Sequence, residues 1–422
     1  MNKPAPLSVE RQRLLELRLR RSAKPSGEPR RIPKHPAGQP APLSSGQHQM
    51  WIIDQMIPGN PAYNIPVAYR VRGELDVRAL EESFNQIICR HESWRTTFRE
   101  LDGNPVQNVH AECRIRIGIT DLGHLPIEDR EPEVRELAAQ EAIRPFALRS
   151  LPLIRVSLFR LGENDHVLLV TVHHIVADGI SLNLMFGELD ALYRAAISGE
   201  ALHLPRLDAQ YADFAVWQSE QLSSPQYAQQ LDHWLRELKG ELPSLQIATD
   251  KPRPLRQSFN GSTVSFEIPS SLAQALNAIG TEERCTFFVT IAAAFEVLLM
   301  RYSGAEEVII GTPVASRSLP EFENLIGNFL NMVAIRSRPS ANPAFVELLR
   351  QNRETILQAL SNKDVPFETV VKSLKSHRDP SRNPVFQVLM QVLPLVRARI
   401  GELSVSRFDF EMRFAHHLWW SD

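Results

Sequence analysis

The sequence predicts an α/β protein of two similar lobes, and three observations carry that reading. From Pro42 onward, apolar runs with the two-residue period of strands alternate with runs of helical period. The same strand and helix style recurs before and after a Pro-rich stretch, ATDKPRPLRQ, which reads as a lobe boundary region. The length of 422 residues, 43% apolar and 23% charged, is ordinary globular composition for two or three domains.

Taken in order, residues 8 to 21 have helical spacing, with Leu14, Leu15, Leu17 and Leu19 set among arginines, and run into AKPSGEPRRIPKHPAGQPAP. Residues 1–41 therefore read as a basic helix and a Pro-rich linker, either a docking arm or a leader strapped to the first lobe. Residues 42–218 form the first lobe. There, strand-like IPVAYRVRGEL precedes helical DVRALEESFNQIICRH, SWRTTF and RIRIGITDL read as strands, and EPEVRELAAQEAI reads as helix. Two strands, LIRVSLFRL and HVLLVTVHHI, follow around the turn GEND, and the second runs straight into helical ISLNLMFGELDALYRAAI. The chain from Tyr211 to Leu238 reads as helix. Residues 219–422 form the second lobe: strand STVSFEI, helix SLAQALNAI, helix TFFVTIAAAFEVLLMRY, strands EVIIGTPV and NMVAIRSR, helix AFVELLRQNRETILQAL, strand VFQVLMQVL and an extended stretch around LSVSRFDFEM. No short-period repeat is present, which excludes a solenoid.

Forty-seven Lys and Arg against 49 Asp and Glu give a net charge of -2, so no overall positive field favours nucleic acid or an anionic membrane. No apolar run approaches a membrane span, and MNKPAPLSVERQRLLELRLRR lacks the apolar core of a signal peptide, so the chain is expected to be soluble and cytoplasmic. Cys89, Cys113 and Cys285 lie far apart with no C-x-x-C, which argues against a disulfide framework, a zinc finger and a redox pair; they read as core thiols.

The segment VTVHHIVADGIS concentrates the chemistry. His173 and His174 end an apolar strand, and adjacent strand residues point to opposite faces, so one imidazole at most faces a given cavity. Asp178 lies where a carboxylate can fix the following turn by pairing with a buried cation, and the Gly179 N–H at a helix start can donate to a developing oxyanion. Spacing alone leaves a satisfied structural cluster and a catalytic site equally open. The sequence holds no G-x-S-x-G elbow, no Walker loop and no G-x-G-x-x-G loop. A zinc site on His173 and His174 lacks a third ligand at a recognisable spacing, so no metal is expected. His416 and His417 are a chance echo of the first pair, and Asn260-Gly261-Ser262 reads as a turn.

HHIVADG resembles the H-H-x-x-x-D-G motif of condensation domains from nonribosomal peptide synthetases. The rest of that family's motif series is present in order: LSSGQHQMW (Leu43 to Trp51), RHESWRTTF (Arg90 to Phe98), YADFAVW (Tyr211 to Trp217), IGNFLNMVAIR (Ile326 to Arg336), KDVPFE (Lys363 to Glu368) and RDPSRNPV (Arg378 to Val385). The resemblance implies two chloramphenicol-acetyltransferase-like lobes forming a V-shaped pseudo-dimer. It implies an acyltransferase that joins a donor acyl or peptidyl thioester to an acceptor aminoacyl thioester. Both substrates would ride on the phosphopantetheine of donor and acceptor peptidyl carrier proteins, with no cofactor of the domain's own and a monomeric chain. DQMIPGNPAYNIP is similar to the subclass that joins an L-configured donor to an L-aminoacyl acceptor, and the intact histidine pair argues against heterocyclisation. His174 is expected at the reaction centre as base or positioning group, with His173 structural.

For the cation that meets Asp178, Arg317 in GTPVASR is the first candidate and Arg95 the second. Trp217 and Tyr211 read as lobe packing or substrate contact, Ser316 and Asn331 as tunnel lining, and Arg378, Asp379 and Arg382 as an ion cluster. Gln49 stands where the opening motif usually has Arg, Gly46 where it has Ala, and Ile180 where Trp is common. The family continues for several elements beyond SRFDFEM, whereas this sequence ends at Asp422, so the second lobe is expected to be cut short and the domain to act in trans. Two other readings stay open: a truncated, inactive carrier-docking domain, and an acyl-CoA-dependent acyltransferase of the same superfamily.

Overall fold

The computed structural model describes residues 32–255, 264, 266–339, 342–374, 381–392 and 398–411. The basic helix at 8 to 21, the Asn260 sequon, Arg378, Asp379 and the His416–His417 pair lie outside the described residues. From the linker, His35 N–H donates to Asp213 Oδ1 at 2.7 Å and Lys34 pairs with the same carboxylate at 3.3 Å, so this end of the stretch is strapped onto the protein.

The first half is built on a five-stranded sheet. Its strands are β2 (Asn64–Arg72), β5 (Gly118–Asp121), β6 (Ile154–Gly162), β7 (Asp165–His173) and β11 (Ser404–Arg407), in the order β11-β2-β7-β6-β5. β7 is central and buried from His166 to its end, and its side chains alternate between two cores. Leu168, Val170 and Val172 join one cluster with Leu80, Phe84 and Ile87 of α2 (Val77–Arg90) and Leu182, Met185 and Phe186 of α4 (Gly179–Ser198). Val167 and Leu169 join the other with Val134 and Ala138 of α3 (Ile127–Ile143). A strand covered by helices on both faces needs a near-continuous apolar run, which is what VLLVTV supplies.

The second half repeats that layering around β10 (Val388–Leu389), β8 (Val308–Ala315) and β9 (Leu330–Ser337), in that spatial order. Ile309 and Met332 pack with Trp234 of α6 (Pro225–Glu237) and Phe367 and Val370 of α10 (Phe367–Leu374). On the other face, after α7 (Ser270–Glu282) in the chain, Ile310 meets Leu299 of α8 (Phe287–Ser303), and Ile335 packs with Leu348 and Leu349 of α9 (Phe345–Ser361). A third sheet, β1 (Ala41–Pro42), β4 (Asn104–Val109) and β3 (Thr96–Leu101), leads into α1 (Ser45–Met56), which Ser44 and Gln47 open as a reciprocal capping box.

Several elements differ from the sequence reading. The helix expected across Tyr211 to Leu238 is broken into α5 (Tyr211–Gln221) and α6, because Ser224 caps a new start with Pro225 in its first turn. STVSFEI forms no strand where it is described, and Val264 and Phe266 are exposed. Cys89 is exposed rather than a core thiol, since α2 turns its buried face through Phe84, Ile87 and Ile88. A boundary at residue 219 does not describe the last strand either: β11 runs antiparallel to β2, with Ser404 opposite Arg72 and Arg407 opposite Tyr69, so the chain returns to the first sheet. Among the described residues no single helix is long and apolar enough to cross a membrane.

The two halves meet on the loop Ile326–Phe329, which is threaded into the first half as backbone. A Cβ at Gly327 would fall inside the ring of Tyr211 on α5, and that ring is itself fully buried. Gly327→Ala is therefore expected to destabilise the protein by about 1–3 kcal/mol through overpacking. An unchanged denaturant midpoint would show that the loop moves aside without cost.

Candidate active site

β7 ends at His173, and the chain turns at once into a single 3-10 turn, His174–Val176, before Asp178 opens α4. The strand alternation expected for the histidine pair thus stops at the first of them, because His174 already belongs to the turn. Both imidazoles are buried, 4% and 8% exposed. His173 serves the fold, since its Nδ1 accepts the N–H of Ile175 at 3.1 Å and its ring lies among Tyr63 and Phe146. Burial, with His174 and Arg155 adding to it, pushes its pKa down to about 3. His174 is also held below the ordinary imidazole range by burial, against the opposing pull of the Asp178 carboxylate. Its Nδ1 is buried and makes no well-formed hydrogen bond among the described residues, although the nearby backbone of His174 and Ala177 favours the protonated ring. Burial thus favours the neutral form of both rings at pH 7.

Asp178 is fully buried and every acceptor direction it offers is used. Oδ1 accepts the N–H of Ser181 at 2.7 Å and its hydroxyl at 2.8 Å, and Oδ2 accepts the N–H of Phe329 at 3.1 Å. Arg317, 5% exposed, donates to both oxygens at 3.1 and 3.3 Å, which makes it the partner ranked first from the sequence. The guanidinium also donates to the carbonyls of Phe322 (2.8 Å) and Leu325 (2.5 Å) and lies 4.0 Å over the ring of Phe329. Arg95 is not part of this cluster; it pairs with Glu92 and donates to the carbonyl of His110. With its lone pairs spent, Asp178 acts as helix cap and counter-ion.

The loop Ile326–Phe329 is held group by group. His91 Nδ1 accepts Ile326 N–H at 3.4 Å, Ser93 donates to Ile326 O at 2.8 Å, and the Ser181 oxygen accepts Gly327 N–H at 3.0 Å, its one proton shared between Asp178 and Gly327 O as alternative acceptors. Tyr211 donates to Asn328 O, Phe329 N–H goes to Asp178, and Ser316 N–H donates to Phe329 O at 2.7 Å. On the first half's side, Gln47 donates to Ile175 O at 3.4 Å, joining α1 to the histidine turn.

Ser316 thus contributes its backbone. Asn331 is a staple: its amide donates to the carbonyls of Lys363 and Val365, both at 2.7 Å, and accepts Phe367 N–H at 3.0 Å. Trp217 stacks on Phe214, meets Phe322 edge-on and is buried. Gly179 has open space where a Cβ would stand, and Ile180 beside it is exposed, so among the described residues no group covers this end of α4. Sequence reasoning missed Ser181, His91, Ser93 and Gly327. The spacing Asp-x-x-Ser signals a cap for Ser181, whereas the other three act through contacts far along the chain.

Two outcomes follow. Asp178→Ala strands the Arg317 charge in a buried site and is expected to cost about 3–5 kcal/mol, read by chemical denaturation, while Asp178→Leu with Arg317→Met recovers part of it. Normal stability of the single variant would mean that the guanidinium finds other partners. The depressed His173 value adds a pH dependence. Unfolding lets this imidazole take up a proton below its ordinary 6.5, which the folded protein refuses until about 3, so its stabilisation holds above pH 6.5 and is lost as pH falls through that window. The loss is about 1.4 kcal/mol per pH unit, and His173→Asn is expected to flatten the fall between pH 6.5 and 5. Equal slopes for both proteins would contradict the buried neutral ring.

The family model described as Condensation domain matches residues 38–417. The chain is 44% identical over 351 residues to a linear gramicidin synthase of Brevibacillus parabrevis, covering 83% of this chain and 7% of that protein. It is 38% identical over 385 residues to phosphinothricin tripeptide synthetase PhsC of Streptomyces viridochromogenes, covering 91% of this chain and 35% of that protein. The chain spans a small part of the length of these curated relatives. Among solved structures it is similar to the X-domain in a complex of the X-domain and OxyB from teicoplanin biosynthesis (TM-score 0.78, 28% identity, 92% of this chain and 85% of that one). It shares the fold of the first condensation domain of the calcium-dependent antibiotic synthetase (TM-score 0.74, 21% identity, 87% of this chain and 84% of that one). The mixed α/β fold, the ordered motifs and the matched length agree: the chain belongs to the condensation domain family.

Proposed function

We propose that this domain forms an amide bond between a donor acyl or peptidyl thioester and the α-amino group of an acceptor aminoacyl thioester. Each substrate is tethered by phosphopantetheine to a carrier protein, and the domain needs no cofactor of its own. The observation that carries the reading is the division of labour in His173-His174-x-x-x-Asp178-Gly179. Asp178 is consumed by the fold and His173 by a backbone N–H, which leaves His174 as the neutral imidazole with nitrogen to spare. The subclass joining L-donor to L-acceptor is part of the proposal and rests on DQMIPGNPAYNIP.

In this reaction the amine nitrogen bonds to the thioester carbonyl carbon, the C–S bond breaks, and the proton lost by nitrogen ends on the departing thiolate. An α-amino group titrates near about 8, so a neutral, nucleophilic fraction exists at pH 7. His174 accepts the proton as the C–N bond forms or aligns the amine for attack. Holding both thioesters in place replaces a bimolecular encounter by a local one, which is worth several kcal/mol of barrier. A second reading, a docking domain without chemistry, is favoured by the likeness to an X-domain solved with OxyB.

The test incubates the protein with loaded donor and acceptor carriers. Amide product is expected, and His174→Ala is expected to lower its rate about a hundredfold or more with the melting temperature unchanged. Product within a few-fold of wild type would remove the proton-acceptor role and leave positioning. Carrier binding with no product from the wild type would support the docking reading.

A further inference from the structure

The second half holds a fully buried carboxyl that the histidine site does not use. Val289, Ala292, Ala293 and Glu296 follow one another at helical spacing on the buried face of α8, and α9 answers with Leu348, Leu349, Asn352 and Ile356. Glu296 is 0% exposed, so the helix carries an acid into packing that is otherwise apolar and includes Ile335 of β9. Its Oε2 accepts the Asn352 amide at 2.6 Å, while Oε1 makes no well-formed hydrogen bond among the described residues, with the Ser337 side chain of β9 nearby. The neighbouring cations are committed elsewhere. Arg336 on β9 pairs with Glu307, Arg350 on α9 pairs with Glu283, and Arg353 takes Glu354 and the Glu283 carbonyl. The Cys285 thiol of the same cluster is pushed up by burial and stays neutral at pH 7.

An anion in this place exchanges its water shell for neutral side chains and no counter-charge, which disfavours the ionised form. Burial accordingly pushes the Glu296 pKa up to about 7, against the opposing hydrogen bonds of Asn352 and Ser337. We propose that Glu296 is a proton-held latch: α8 packs down on α9 and β9 while the carboxyl is neutral, and loss of the proton to solvent lifts α8 so that the carboxylate reaches water. The inference is independent of the amide-forming reading. Its sign follows from the two states of the chain. The unfolded carboxyl ionises near its ordinary 4.5 and the folded one only near 7, so the stabilisation is full below pH 4.5 and is lost as pH rises to about 7.

Two measurements on the full chain test the latch. Glu296→Gln keeps an acceptor for Asn352 and has no proton to lose, so the ratio of wild-type to variant folding constants isolates this group from every other titration, His173 included. Read by chemical denaturation, that ratio is expected to fall about a hundredfold or more between pH 4.5 and 7 and to level off above pH 8. Backbone amide exchange of the wild type, corrected for the intrinsic rate, locates the change: protection of α8 and α9 is expected to drop about tenfold from pH 6 to pH 8 while that of α2 and α4 holds. The exchange comparison needs no variant, so it keeps the test sound even if Glu296→Gln misfolds. A ratio that does not move with pH, or an equal loss of protection in both halves, would overturn the proposal.

Discussion

The buried ion pair of Asp178 and Arg317 is the constraint on which the rest of the arrangement hangs. Two charges so far from water survive only when most of their remaining hydrogen-bonding capacity is met, and here it is met from both halves at once, by Ser181 on α4, Phe329 N–H and the carbonyls of Phe322 and Leu325, with Arg317 Nε left without a partner among the described residues. An apolar pair of equal volume can match such a bridge in stability but not in direction. One guanidinium nitrogen spans both carboxylate oxygens while the other holds the carbonyls of Phe322 and Leu325, which ties α4 to the segment after β8 and helps to fix where the histidine turn lies against the Ile326–Phe329 loop.

That loop explains why residues scattered over the chain belong to one site. Its backbone groups are taken up by His91 and Ser93 after α2, Ser181 on α4, Tyr211 on α5 and Asp178, and the ring of Tyr211 occupies the space that a side chain at Gly327 would fill. The chemistry benefits indirectly. With carboxylate, arginine and serine held in one buried seam, the neutral imidazole of His174 sits on a support that, in the proposed reaction, is already organised before charge develops beside it.

Much of this is legible in the amino-acid sequence, and the limits have a physical pattern. The apolar run before His173 predicts a doubly covered strand, the Asp-Gly turn predicts a helix start, and Arg317 is the cation that the sequence offers first to Asp178. What escapes are relations between distant segments. Strand alternation cannot show that His174 already belongs to a 3-10 turn, since that depends on Asp178 being held from the other half. Asn331 does line a cleft between the halves, but what the sequence does not show is that its amide also closes a loop and that Ser316 serves through its N–H. STVSFEI has strand composition, but alternation states what a segment can pair with and not whether a partner edge is there.

The return of β11 to the first sheet bears on how the protein folds. Ser404–Arg407 pairs with Tyr69–Arg72 across most of the chain's length, so the ladder closes only after everything between has taken shape or been looped out, at an entropic cost that local hairpins avoid. Until then the outer edge of β2 presents bare N–H and C=O groups beside an apolar sheet, an arrangement that invites pairing with another chain. Four residues near the end of the described chain thus protect a strand laid down near its beginning, and the interval before they arrive is when the molecule is most exposed to aggregation.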